Sequence, residues 1–194
     1  MVCDTGCVLG YLLSRHAVFR MGKSLEQMDA ARKALHARDS FVRVVVPLSK
    51  IASGLYLFCD HFVWVARMKL GSLDEKRWSR AAARFWLLSL ILCLARDVYE
   101  FICVFAAESR RLKQNSKSLL PSSRPSPLGT CISVLAHHQP LVLDTVKNSA
   151  DIFIPLDSLQ YLKLPAGVIG LLGTLSSIIG LYTVWNETMK LKQS

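Results

Sequence analysis

A chain of 194 residues has room for one ordinary domain or a small membrane protein. Apolar residues make up 52% of it, yet 24 Lys and Arg stand against 14 Asp and Glu, a formal net charge of +10. That pairing of greasiness and positive charge suits anionic lipid headgroups better than a soluble enzyme surface. It also argues against nucleic acid, because no recognisable binding module accompanies the charge.

In chain order, the first 18 residues carry only a short apolar patch, Val8 to Leu13, placed after Asp4. A secretory signal needs a basic start and a longer apolar core, so none is expected here. Ser24-Leu-Glu-Gln27 then reads as a capping box opening a helix that runs to Val46. Along it Leu25, Met28, Ala31, Leu35, Val42 and Val45 recur at helical spacing beside Lys23, Arg32, Lys33, Arg38 and Arg43. An apolar stripe edged by cations is the pattern of a helix lying in a membrane interface. An ordinary surface helix packed on a protein core shows the same periodicity.

Val44 to Val65 is apolar apart from Lys50, Asp60 and His61 and is long enough to cross a bilayer. Pro47 is expected to kink or end the preceding helix. Either the segment spans with its charges paired, since a central charge costs about 2.5–3.5 kcal/mol, or it lies half-buried on another helix. Ser72-Leu-Asp-Glu75 opens a long helix whose apolar run is interrupted by Arg96, Asp97 and Glu100. Arg96 and Glu100, four residues apart, are expected to form a structural pair between helices.

Residues 114–130 hold three prolines, five serines and no acidic residue, and read as a linker. Shorter helical pieces are expected over 131–163. Leu164 to Trp185 contains no charge, and its length matches the roughly 20 apolar residues of a membrane-crossing helix. Gly170, Gly173, Ser177 and Gly180 share one face of that helix, a pattern that lets helix backbones approach closely and self-associate. Glycine is also simply common in membrane helices. Lys190 and Lys192 stand fifth and third from the end. They form either a tail of the kind coatomer reads in the cytosol or the positive flank of the membrane helix.

Six cysteines, at positions 3, 7, 59, 93, 103 and 131, form no Cys-x-x-Cys pair and are read as reduced. His137-His138 has no carboxylate or thiol at ligand spacing, so no metal and no cofactor are expected. Phosphate loops, nucleophile elbows and zinc-protease motifs are missing. Asp144, Asp151 and Asp157 have no basic partner in sequence and are expected to cap and solvate. The fold class is therefore all-α, membrane-associated, with at least one transmembrane helix and no enzymatic site.

Several motifs then fall in a familiar order: Phe19-Arg-Met-Gly22, Leu55-Tyr-Leu-Phe-Cys-Asp60-His-Phe-Val-Trp64, Lys76-Arg-Trp78, and Ala95-Arg-Asp-Val-Tyr-Glu100. Together with His138-Gln-Pro-Leu-Val-Leu-Asp-Thr-Val-Lys-Asn148 and Asp151-Ile-Phe-Ile-Pro-Leu-Asp157, this order resembles the peroxisomal membrane protein 11 (peroxin-11) family, and its alpha and beta branch in particular. Residues 1–18 depart from the family pattern. The resemblance implies a peroxisomal membrane protein that promotes elongation and division of the organelle. It would do so by inserting an amphipathic helix into the cytosolic leaflet, self-associating, and recruiting a fission adaptor and a dynamin-related GTPase. It further implies import-receptor binding through about Leu141 to Trp185, and a cytosolic C-terminus. The alternative is a channel for small metabolites, with Lys50, Asp60, Arg96 and Asp97 lining the pore. A two-span arrangement puts Arg67 to Arg124, rich in cations, in the lumen, against the positive-inside rule.

Overall fold

The computed structural model describes residues 22–36, 39–68, 74–118 and 137–186, with the side chains of 112–118 excepted. Among these, all regular structure is α-helical. Helix α1 occupies residues 22–34. It is followed by α2 (Ser40–Arg67), α3 (Glu75–Ser118), α4 (Gln139–Asp151), α5 (Phe153–Ser158) and α6 (Ala166–Trp185). Contacts divide the chain into two groupings. One holds α1, α2, α3 as far as Leu92, and residues 152–164; the other holds α3 from Cys93, α4 and α6.

In the first grouping, α2 and the first half of α3 form an antiparallel hairpin. Tyr56 stacks on Trp86 with ring centroids 5.4 Å apart, Phe62 on Trp78 at 4.3 Å, and Arg67 pairs with Glu75 at 2.8 Å near the turn. Stacked aromatic pairs of this kind add about 0.5–1.5 kcal/mol beyond the area they bury. The rest of this core combines Val42, Val46, Val63 and Leu90 with small side chains, Ala31, Ala34, Ala52, Ala82 and Ala83. Gly54 belongs to that economy: a β-carbon there would stand 3.8 Å from Met28 Sδ and 3.9 Å from the Ser24 carbonyl oxygen. Those are ordinary van der Waals distances, so α1 lies close against α2 here and a side chain larger than a methyl group would press on it.

In the second grouping, α4 packs on α6, burying Leu141 and Ala150 from one helix and Ser176 and Ile179 from the other. Helix α6 is uncharged throughout and exposed along most of its length; α2 is the second helix long and apolar enough to cross a membrane.

Several local expectations are corrected. Ser24 is not an N-cap, because residues 22 and 23 are already helical. The helix from Ser24 to Val46 is two helices: the end of α1 tightens, with Leu35 N–H on the Arg32 carbonyl (3.3 Å) and His36 N–H on that of Lys33 (3.2 Å). Asp39 then turns to an extended backbone, φ −86° and ψ 129°, and α2 starts at Ser40. Pro47 neither ends nor starts a helix; it lies buried inside α2. The proline removes one hydrogen-bond donor, and the packing of its neighbours Val42 and Val46, both buried, carries the helix through. The capping residue at α3 is Asp74, whose carboxylate accepts the Lys76 N–H at 3.1 Å; Ser72 lies outside the described residues. Helix α3 continues to Ser118, so the first residues of the Ser/Pro-rich stretch are helical.

Candidate functional site

Helix α1 and the turn that ends it present Leu25, Met28 and Leu35 to the exterior at 71%, 48% and 53% exposure. Spacings of three and seven put them on one face. Arg32 lies within this face and Lys33 beside it, both exposed. Asp29 takes both cations, with Lys33 Nζ at 2.6 Å and Arg32 Nη2 at 3.4 Å. The hydrogen bond and charge of Lys33, and then the charge of Arg32, hold its carboxyl below the usual carboxylate value. The buried side of α1 is formed by Ala31 and Ala34. Val42, expected on the same stripe, is not part of this surface: it belongs to α2 and is buried in the core. Arg38 lies outside the described residues.

On α6 the small-residue face is only partly committed to α4. Gly180 faces that helix, a β-carbon there standing 3.8 Å from Lys147 Cε, whereas Gly170 opens on empty space. Ser177 is exposed and Gly173 half-buried. The hydroxyls of this helix bond within it: Thr174 donates to the Gly170 carbonyl (2.7 Å), Ser177 to that of Gly173 (2.7 Å) and Thr183 to that of Gly180 (2.9 Å). Back-bonded hydroxyls leave no donor unsatisfied in an apolar surrounding. Lys190 and Lys192 lie outside the described residues.

The least expected feature is an ionic cluster between α3 and α4. Arg96 and Asp97 are 5% and 0% exposed. Arg96 Nε donates to Asp97 Oδ1 at 3.0 Å, and its Nη2 reaches both Asp97 and Asp144. Asn148 donates to the other Asp97 oxygen at 3.0 Å. Glu100 is the distant member, its Oε1 3.9 Å from Arg96 Nε. The pairing expected between Arg96 and Glu100 is thus secondary. Asp144, read as having no basic partner, has one 48 residues away in sequence. The signal in the sequence was Asp144 and Asn148, four apart on one face of α4, opposite the Arg96-Asp97 step. Among the described residues no group of three His, Cys, Asp or Glu is placed to hold a metal ion.

An all-α chain with two helices of membrane-crossing length, and a cationic helix showing an apolar face, has the build of a membrane protein. The sequence matches the model of peroxisomal biogenesis factor 11 (PEX11) over residues 13–185, and the chain belongs to that family. It is 31% identical over 201 residues to peroxisomal membrane protein 11B of Homo sapiens, covering 90% of this chain and 78% of the relative. With peroxisomal membrane protein 11A of Mus musculus the identity is 34% over 190 residues, covering 90% and 76%. With peroxisomal membrane protein 11C of Homo sapiens it is 31% over 150 residues, covering 74% and 59%. No solved structure matches. The protein is a peroxin-11-type protein of the peroxisomal membrane, from a family of biogenesis factors and not an enzyme class.

Proposed function

We propose that this protein promotes elongation, division and proliferation of peroxisomes by seating α1 in the cytosolic leaflet. The observation that carries the reading is the exposed face of Leu25, Met28 and Leu35 beside Arg32 and Lys33. An amphipathic helix sunk about 5–10 Å into one leaflet expands that leaflet and favours curvature, and its cations select anionic headgroups. Self-association through the Gly170–Ser177 side of α6 would concentrate the wedges. The further partners of this reading are the membrane-protein import receptor, engaged by about residues 141–185, and the fission adaptor with its dynamin-related GTPase. Coatomer can meet Lys190 and Lys192 only from the cytosolic side, so that role follows from topology.

The test is the double variant Leu25→Asp/Leu35→Asp, both positions being exposed. Loss of tubulation of anionic liposomes and of peroxisome elongation in cells, with the peroxisomal address kept, supports the reading. Undiminished tubulation overturns it. The channel alternative is weakened because Arg96 and Asp97 close on each other and on α4 instead of presenting free charge. Conductance in reconstituted bilayers that vanishes in Asp60→Asn would restore it.

A further inference from the structure

The stretch that follows α5 holds the only positive φ among the described residues, and it is not at a glycine. Gln160 adopts φ 62°, the left-handed region that residues with a β-carbon enter reluctantly. The reason is the way α5 ends. Gln160 N–H donates to the Asp157 carbonyl at 2.8 Å, and Tyr161 N–H reaches back to the Leu156 carbonyl at 3.0 Å. Those two bonds make a Schellman ending, in which the left-handed residue is usually glycine. The Asp157 carboxylate then accepts the Leu164 N–H at 3.2 Å. Residues 160–164 are thereby tied back to α5 by their backbone. Their side chains go the other way: Tyr161 and Leu162 are 67% and 41% exposed, with Lys163 exposed beside them. Strain held by surrounding bonds, and used to present a tyrosine and a leucine outward, points to a surface that receives them.

We propose that this turn is an interfacial lipid anchor: Tyr161 and Leu162 seat at the boundary of headgroups and acyl chains, and Lys163 meets lipid phosphate. Three residues after Lys163 the chain enters α6, twenty residues without a charge. Three extended residues reach about 10–11 Å at most. The headgroup layer on each side of the hydrocarbon is about 5–8 Å thick. With α6 in the hydrocarbon, the turn is held at that layer by chain length alone.

Its chemistry fits the same place. Tyrosine has an apolar ring and a wet hydroxyl, the build that favours the headgroup level. The stem of a lysine lies along acyl chains while its ammonium reaches outward. Between Asp157 and Glu187 the only formal charge is Lys163, and the Asp157 carboxylate is occupied by Leu164 N–H. The outward surface therefore offers one cation among apolar groups, complementary to an anionic leaflet. The anchor sets how deep the start of α6 sinks, and Gln160 acts in it as a positioning residue. None of this uses α1, so the anchor stands apart from the leaflet wedge.

The test uses the full chain in vesicles of phosphatidylcholine and phosphatidylglycerol, carrying Tyr161→Trp beside its four native tryptophans. The emission gained over the unaltered protein is followed with bromine placed high or low on the lipid acyl chains, and with water-soluble acrylamide. The expected result is loss of most of the gained emission to bromine near the headgroups, and only weak loss to bromine near the chain ends or to acrylamide. Strong quenching by acrylamide without a bromine effect puts the turn in water and overturns the proposal. Equal or stronger quenching from the chain ends overturns it too. So does protection from every quencher, which would mean that protein covers the turn. Two variants in the same background ask whether the turn does the positioning. Q160G enters the left-handed region freely and should keep the shallow profile. Q160V, β-branched, resists that region and should lose the preference for shallow bromine. A profile unchanged in Q160V overturns the proposal.

Discussion

The guanidinium of Arg96 on α3 donates to the carboxylate of Asp144 on α4, joining two helices 48 residues apart in sequence. Asp97, with no exposed surface, and Asn148 complete the contact. The energetic weight is unequal. Removing Arg96 strands the buried Asp97 charge, which costs about 3–5 kcal/mol. Removing Asp144, which is partly exposed, leaves Arg96 its Asp97 partner, and the expected loss is about 1–3 kcal/mol. Denaturant unfolding of the detergent-solubilised protein should therefore rank Arg96→Ala well below Asp144→Ala. The reverse order would show that the Arg96–Asp97 step is not the centre of the cluster.

Val42→Asp should behave unlike Leu25→Asp, although both residues fall on one apolar repeat in the sequence. Val42 is 6% exposed, so an aspartate there is a buried carboxylate with no partner prepared for it. A loss of about 3 kcal/mol or more is expected. Steady-state abundance and protease resistance should both fall in V42D and stay at wild-type levels in L25D. Equal behaviour would contradict the assignment of Leu25 to α1 and of Val42 to a separate helix, α2.

The small-residue face of α6 divides in the same way. A leucine at Gly170 enters open space, whereas one at Gly180 extends past the 3.8 Å contact with Lys147 and pushes on α4. Gly170→Leu is expected to weaken self-association, read by cross-linking in membranes, without changing thermal stability. Gly180→Leu is expected to lower the midpoint of thermal unfolding. Unaltered cross-linking in G170L would remove this face from any role in assembly.

These contrasts mark how far the sequence could be read. The uncharged run ending at Trp185, the apolar run of α2 and the long helix after residue 74 were legible, because hydropathy and periodicity act locally. The end of α1 and the fresh start of α2 at Ser40 were not: the apolar repeat runs on in register, and the break shows in the backbone bonds of Leu35 and His36 and in the extended Asp39. Of the two outcomes expected at Pro47, the end of the helix is the one that does not occur: α2 runs on through it. The Arg96 cluster was hidden as well. Arg96 has Glu100 at an inviting helical spacing, yet its strong partners are its immediate neighbour and a residue on another helix.

Asp29 offers a test of the charge on α1. Its carboxyl is held below the ordinary value of 3.8, first by the hydrogen bond and charge of Lys33 and then by Arg32. A depressed folded value means that the pairing supports the helix at all pH above the ordinary value and is lost as pH falls through the lowered one. At neutral pH the ionised carboxylate therefore neutralises one cation of the helix proposed to meet lipid. Asp29→Asn frees that cation and should strengthen binding to phosphatidylglycerol vesicles roughly five-fold, with the gain screened away by salt. Acid should bring the wild type towards the variant only as pH drops below 3.8, and because the headgroup phosphate also titrates in that range the reading is the ratio of the two proteins at each pH. Flotation assays across that range, at low and high ionic strength, measure both effects. Equal affinity of the two proteins at neutral pH and low salt would mean that α1 does not meet the headgroups through its Arg32–Lys33 side.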